Sequence, residues 1–259
     1  MPAASLGPFS RARFRGAARA LAGVAHTTPV LTSRTFSRMA GRRVGLKCEN
    51  LQRAGSFKVR GAFVRMGTLG PGERAKGVVA ASAGNHAQGV ALAAGGVGIR
   101  ATVVMPLHTP IAKVAATEGY GARVILHGET FDDALARARE LARRTGAALI
   151  PAFDDPLVIL GQGTVGIEIL HQVPECDAIV APVGGGGLLA GIALAVRQVR
   201  PRVRIYSAVR KLGYHAPAPL RSRGRPPRLQ RNTASARPSP RALPRGAGPT
   251  AARPPCGGT

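Results

Sequence analysis

Short apolar runs alternate with longer stretches in which apolar side chains recur every three to four positions, from about residue 44 to residue 206. The runs are VGLKCE (44–49), GVVAA (77–81), RATVVM (100–105), ARVIL (122–126), ALI (148–150), DAIVAPV (177–183) and VRIY (203–206). Their length and their lack of polar alternation predict strands buried on both faces. The stretches between them have helical period. FDDALARARELARR (131–144) puts Phe131, Leu135, Ala138 and Leu141 on one face. Asp155-Pro156 combines an N-cap with a proline at the first helical position, and predicts a helix start there. RGAARALAG (15–23) is Ala-rich and predicts an earlier helix. Strands joined by helical crossovers build parallel sheets covered on both faces, so the expected class is α/β.

This grammar stops after Tyr206. The remainder holds 10 of the 21 prolines, shows no periodicity and has hardly any large apolar residues. Such a segment cannot offset its ordering entropy by burial, and residues 207–259 are expected to be a disordered, Arg/Pro-rich tail. The tail also changes how the formal charge of +25 is read. All 12 acidic residues lie between Glu49 and Asp177, and 11 Lys and Arg follow Val209, which leaves +14 for residues 1–209. At the other end, residues 1–14 are acid-free and Arg- and Ser-bearing, which fits either a transit peptide or a ragged N-terminus.

With 4% aromatics and no Trp, the core is built from Ala, Val, Leu and Ile, which suits α/β layers better than an aromatic-rich sandwich. No membrane span is expected, and no membrane association. Three widely spaced cysteines, Cys48, Cys176 and Cys256, show neither metal-ligand spacing nor a disulfide framework. A reducing, cytoplasmic location is expected.

Three stretches carry candidate chemistry. In APVGGGGLLAGIALAV (181–196) a strand runs through Gly184, Gly185, Gly186 and Gly187 into a helix that begins near Leu188. Four consecutive glycines carry an entropic cost that a plain turn does not require. Amides of such a loop at a helix N-terminus cradle a phosphate. The pattern matches neither GxxxxGK[ST] nor GxGxxG. In ASAGNHAQGVALAA (81–94), the turn Ser82, Ala83, Gly84, Asn85 and His86 precedes an apolar helix. It reads either as an anion-binding turn or as an N-capped helix start. In ENLQRAGSFKVRGA (49–62), Lys58 follows the aromatic Phe57. A solvated cation is the ordinary reading of such a lysine. A phosphate cradle together with an amine nucleophile instead suggests an aldehyde cofactor that carries a phosphate.

These three stretches, with MPLHTPIAKVAATEGYGARVILHG (105–128) and DDPLVILGQGTVGIEIL (154–170), resemble the threonine dehydratases (threonine ammonia-lyases). That family belongs to the tryptophan-synthase-β-like, fold type II class of pyridoxal 5'-phosphate enzymes, and serine racemase is a near relative. The resemblance covers residues 15–206 and implies two α/β domains with the cofactor between them. The large domain would comprise 15–60 and 151–206 and would be incomplete, and the small one 61–150. It implies that Lys58 is the Schiff-base lysine, flanked by Phe57, that Asn85 lies beside the cofactor's phenolic oxygen, and that Gly184–Leu188 hold its phosphate. Ser82 to His86 would grip the substrate carboxylate. Racemases carry a serine at the place of Ala83, acting as acid on the second face of the substrate carbon, so alanine favours dehydration. The implied reaction deaminates L-threonine to 2-oxobutanoate, and L-serine to pyruvate, and is expected to be impaired where the large domain is incomplete; the alternatives are an inert cofactor-binding remnant and a serine racemase-like enzyme. The substrate is then a small amino acid, and the intact family implies a homo-oligomer.

The family's chain continues in sheet and helix where this one turns basic. A reading-frame shift near Tyr206 is the leading explanation. The competing one is a genuine tail that binds nucleic acid or anionic membranes through charge alone; it lacks aromatic interleaving, and no specific nucleic-acid partner is expected.

Overall fold

Apolar runs and helical stretches alternate in the computed structural model much as the pattern requires; it describes residues 9–209. The order is α1 (Arg11–Ala20), β1 (Val30–Thr32), α2 (Arg34–Ala40), β2 (Gly45–Lys47), α3 (Lys58–Gly67), α4 (Pro71–Lys76), β3 (Val78–Ala81), α5 (Asn85–Gly96), β4 (Ala101–Met105), α6 (Ile111–Gly119), β5 (Arg123–Leu126), α7 (Phe131–Thr145), β6 (Ala148–Leu149), α8 (Pro156–Gln172), β7 (Ala178–Pro182), α9 (Gly187–Val199) and β8 (Arg204–Ala208). The described residues all belong to one compact unit.

The main sheet is parallel throughout, in the order β5-β4-β3-β6. Side chains alternate across it, as the pleat demands. Val78, Ala80, Val103 and Met105 face α3 and α5, where Val59, Met66, Val90 and Ala94 complete the core. Val79, Ala81 and Val104 face the opposite way, against Ala134 and Ala138 of α7. A second parallel pair, β7 with β8, packs its apolar face on Val165 of α8 and on Ile192 and Val196 of α9. The helix after Asp155 starts as expected, because the Asp155 carboxylate accepts from the amides of Leu157 (2.8 Å) and Val158 (3.0 Å). α3 and α8 touch backbone to backbone: a Cβ on Gly161 would lie within 2.8 Å of Arg60 main-chain atoms.

A buried ion cluster fixes α3, the helix that begins at Lys58. Arg60, 1% exposed, donates to both oxygens of Glu49 (2.8 Å each) and to both of Glu168 (2.5 and 3.0 Å). Lys47 joins from β2, 2.5 Å from Glu168. Two cations thus meet two carboxylates, and each charge of the cluster has a partner.

Four expectations are corrected. VGLKCE is not a buried parallel strand: β2 pairs antiparallel with β1 in a two-stranded ribbon whose residues are largely exposed. Its one strong anchor is Lys47, drawn to Glu168 and Gln172. The first helix starts at Arg11 rather than 15, because Ser10 caps it and Phe14 is a core residue at 1% exposure. Residues 11–14 are therefore not part of a ragged start. Phe131 is 45% exposed, and α7 instead buries Ala134 with Ala138, which are small enough to bring the helix close to the sheet. β8 continues to Ala208, two residues past the expected end of the pattern. The rest of the anticipated tail, and residues 1–8, lie outside the described residues.

Candidate active site

Three loops leave the carboxyl ends of parallel strands: Ser82–Gly84 after β3, Ile150–Asp155 after β6, and Val183–Gly186 after β7. In α/β sheets the crevice outside those ends is where ligands bind. The segment after β6 connects the other two. Ile150 O lies 3.0 Å from His86 Nε2, Ala152 O accepts from Lys58 Nζ at 2.6 Å, and Phe153 packs on the glycine loop. Sequence reasoning missed these residues. The only signal was negative, a break in apolar pattern between ALI and Asp155.

Lys58 opens α3 with its amine 5.4 Å from the Phe57 ring centroid. Burial lowers its pKa from 10.5 to about 8, since an ammonium in this setting loses hydration. About a tenth of the amine is therefore neutral at pH 7, against a few parts in ten thousand for an ordinary lysine, and the neutral form is the nucleophile or base. Phe57 packs into the same apolar cluster as Leu188 and Leu189 at the start of α9.

The glycine loop is close-packed on one side and open on the other. A Cβ on Gly185 would come within 2.5 Å of the Phe153 ring, and one on Gly187 would lie 2.8 Å from Phe153 O. Gly186, at φ +85°, turns the chain into α9. Among the described residues, the amides of Gly184 through Leu189 donate to no backbone carbonyl; the ladder ends at Val183 and α9 bonding starts at Ala190. Six consecutive N–H groups at a helix N-terminus with no acceptor among the described residues form a strong anion cradle.

Around β3 the picture is mixed. α5 begins at Asn85 with Gly84 as its cap and no side-chain capping bond, so the N-capped reading of this turn does not hold. Ser82 Oγ instead accepts from the Gly84 amide at 3.1 Å. The amides of Ala83, Asn85 and His86 bond no backbone carbonyl among the described residues, and Asn85 is exposed. The His86 ring is turned away. It is 5% exposed, bonded to Ile150 O, and burial holds its pKa down at about 4, with a weaker opposing effect from that bond. It is neutral at ordinary pH and works as a strut, while its main-chain N–H bonds no backbone carbonyl among the described residues. Among the described residues no cluster of His, Cys, Asp and Glu fits a metal ion, and no helix is long and apolar enough to cross a membrane.

The family model described as "Pyridoxal-phosphate dependent enzyme" matches residues 22–245. The chain belongs to this family. It is 48% identical over 189 residues to L-threonine ammonia-lyase of Thermotoga maritima, covering 73% of this chain and 47% of the relative. Among solved structures it is similar to the processed form of threonine deaminase isoform 2 from Solanum lycopersicum (TM-score 0.72, 43% identity, 77% of this chain and 56% of that one). It is also similar to maize serine racemase (TM-score 0.74, 40% identity, 77% and 60%). The chain spans about half the length of the curated relatives it matches. The fold is therefore that of a fold type II pyridoxal-phosphate enzyme, with helices flanking parallel sheet.

The cofactor of this family is pyridoxal phosphate, and the residues present fit it. Its phosphate asks for several N–H donors, which the six free amides provide; its aldehyde asks for an amine of lowered pKa, and Lys58 is one. The absence of side chains on Gly184 to Gly187 lets a phosphate approach the backbone.

Proposed function

We propose that the chain is the cofactor-binding part of a threonine ammonia-lyase, which releases ammonia from L-threonine to give 2-oxobutanoate and from L-serine to give pyruvate. The observation that carries this reading is the joint placement of a desolvated Lys58 and six free amides on the two sides of the 150–153 segment. Pyridoxal phosphate, when bound, supplies the electron withdrawal that makes the α-proton of an amino acid acidic. Lys58 would carry the cofactor through its amine and, once displaced by substrate, remove the α-proton. A pKa of about 8 suits that base near neutral pH. Gly184 to Leu188 would hold the phosphate, Phe57 would wall the ring, and Asn85 would offer its amide to the phenolic oxygen. The turn Ser82 to His86 would take the substrate carboxylate on its main-chain donors, with His86 serving through its N–H.

Ala83 favours the lyase over racemisation, since a methyl group cannot deliver a proton to the face opposite Lys58. The 48% identity to a threonine ammonia-lyase supports the same choice. A homo-oligomer and a reducing, cytoplasmic setting accompany this reading; Cys48 and Cys176 are both free thiols. The test mixes the chain with pyridoxal phosphate and L-threonine or L-serine, following the bound cofactor's absorbance, 2-oxo acid release and D-serine formation. A substrate-dependent spectral change with 2-oxo acid release, both lost in Lys58→Ala, is expected. Racemisation of serine without pyruvate would overturn the assignment.

A further inference from the structure

A cavity of about 460 Å³ that Lys58 does not line lies between α1, the last turns of α8 and the end of α9. Its walls are of two kinds. Phe14, Ile167, Leu170 and Val199 give it an apolar body, while Arg11, Arg15, Arg200 and His171 stand around it. Its volume falls in the range of small-molecule sites.

Three observations show that these cations lack an internal partner. Among the described residues no carboxylate lies within 4 Å of Arg11, Arg15 or Arg200. Every Asp and Glu of the chain lies between Glu49 and Asp177, so no acidic side chain remains elsewhere to neutralise them. Arg200 Nη1 is buried with no hydrogen-bond partner. A buried, charged N–H without an acceptor is costly and calls for an explanation such as a bound anion. Arg11 and Arg15 also sit one helical turn apart on α1, an arrangement of like charges that weakens a helix unless something bridges it. His171 Nδ1 donates to Ile167 O at 3.0 Å, so Nε2 of the neutral ring is an acceptor and the arginines alone supply donors for an anion. A recess lined by one sign of charge over apolar walls concentrates anions of matching shape.

We propose that this cavity binds an organic anion with an apolar body: a carboxylate or phosphate head held by Arg11, Arg15 and Arg200, with an aliphatic or aromatic portion against Phe14, Ile167 and Leu170. The site is distinct from the glycine loop, which lies at the opposite end of α9.

The probes are octanoate, octyl phosphate, acetate and 1-octanol, titrated calorimetrically into the full chain already loaded with pyridoxal phosphate. Methyl chemical shifts of Ile167, Leu170 and Val199 localise binding. Octanoate or octyl phosphate binds and moves those methyls, and the stronger of the two identifies the head group. Acetate, lacking the body, and octanol, lacking the charge, bind at least about tenfold more weakly, the size expected for losing one well-made charged contact. Arg15→Glu and Arg200→Gln each weaken octanoate by about tenfold or more; Arg15 is exposed, so that variant keeps its fold. Octanoate affinity unchanged in both variants, shifts confined to other methyls, or octanol binding as tightly as octanoate would each overturn the proposal.

Discussion

Gly185→Ala isolates the close approach between the glycine loop and Phe153. Gly185 lies outside the left-handed region, so alanine adds no backbone strain there. The added methyl instead falls within 2.5 Å of Cγ, Cδ1 and Cδ2 of the Phe153 ring, where ordinary contact begins near 3.4 Å. Ring and loop must separate by about 1 Å, and overpacking of this kind costs about 1–3 kcal/mol. If the strain is relieved by moving the loop, the free amides of Gly184 to Leu189 move off a common target. Pyridoxal phosphate affinity then falls by about 5- to 150-fold at 1.4 kcal/mol per decade. The assay is a fluorescence titration of cofactor into the chain, with thermal unfolding run beside it to verify the fold. Phe153→Ala added to Gly185→Ala makes room for the methyl and should restore most of the affinity. A Gly185→Ala chain that binds within twofold of the parent, or a double variant as weak as the single one, would refute the reasoning.

Further outcomes follow from the same geometry. Covalent capture of pyridoxal phosphate by Lys58 should rise with pH through a midpoint near 8, because burial disfavours the ammonium and frees the amine at lower pH; a midpoint near 10.5 would show an ordinary solvated lysine. At pH 7.5 about a quarter of such an amine is neutral, against about one in a thousand for an unshifted lysine. Arg60→Met strands Glu49 and Glu168 with Lys47 as the remaining cation, and should lower the unfolding free energy by about 3–5 kcal/mol in a denaturant titration. Asp155→Ala removes two capping bonds and the Arg65 contact at 3.3 Å, and should cost about 1 kcal/mol in the same titration.

Much of this architecture was legible because buried parallel strands must be apolar on both faces. GVVAA and RATVVM became β3 and β4 within a residue, and DAIVAPV became β7. The glycine run was legible as well, since four adjacent glycines have few structural uses. VGLKCE misled because its apolar residues belong to an exposed two-stranded ribbon, and local composition cannot distinguish that from a sheet interior. The 150–153 segment was invisible for another reason. Ile150 and Ala152 act through backbone carbonyls, which every residue has, and Phe153 acts by filling the space over a glycine thirty-two positions away. His86 lies in the first turn of α5, just after the Ser82–Gly84 loop, and its ring bonds inward to Ile150 O, an orientation set by tertiary packing.

The assignment of Lys58 is tested most directly by borohydride reduction of the chain after loading with pyridoxal phosphate, followed by peptide mass spectrometry. The prediction is one phosphopyridoxyl group per chain, carried on the peptide SFKVR at Lys58, with Lys47, Lys76 and Lys113 unmodified at one equivalent of cofactor. Label spread over several surface lysines, or retained at the same level in Lys58→Ala, would contradict the account.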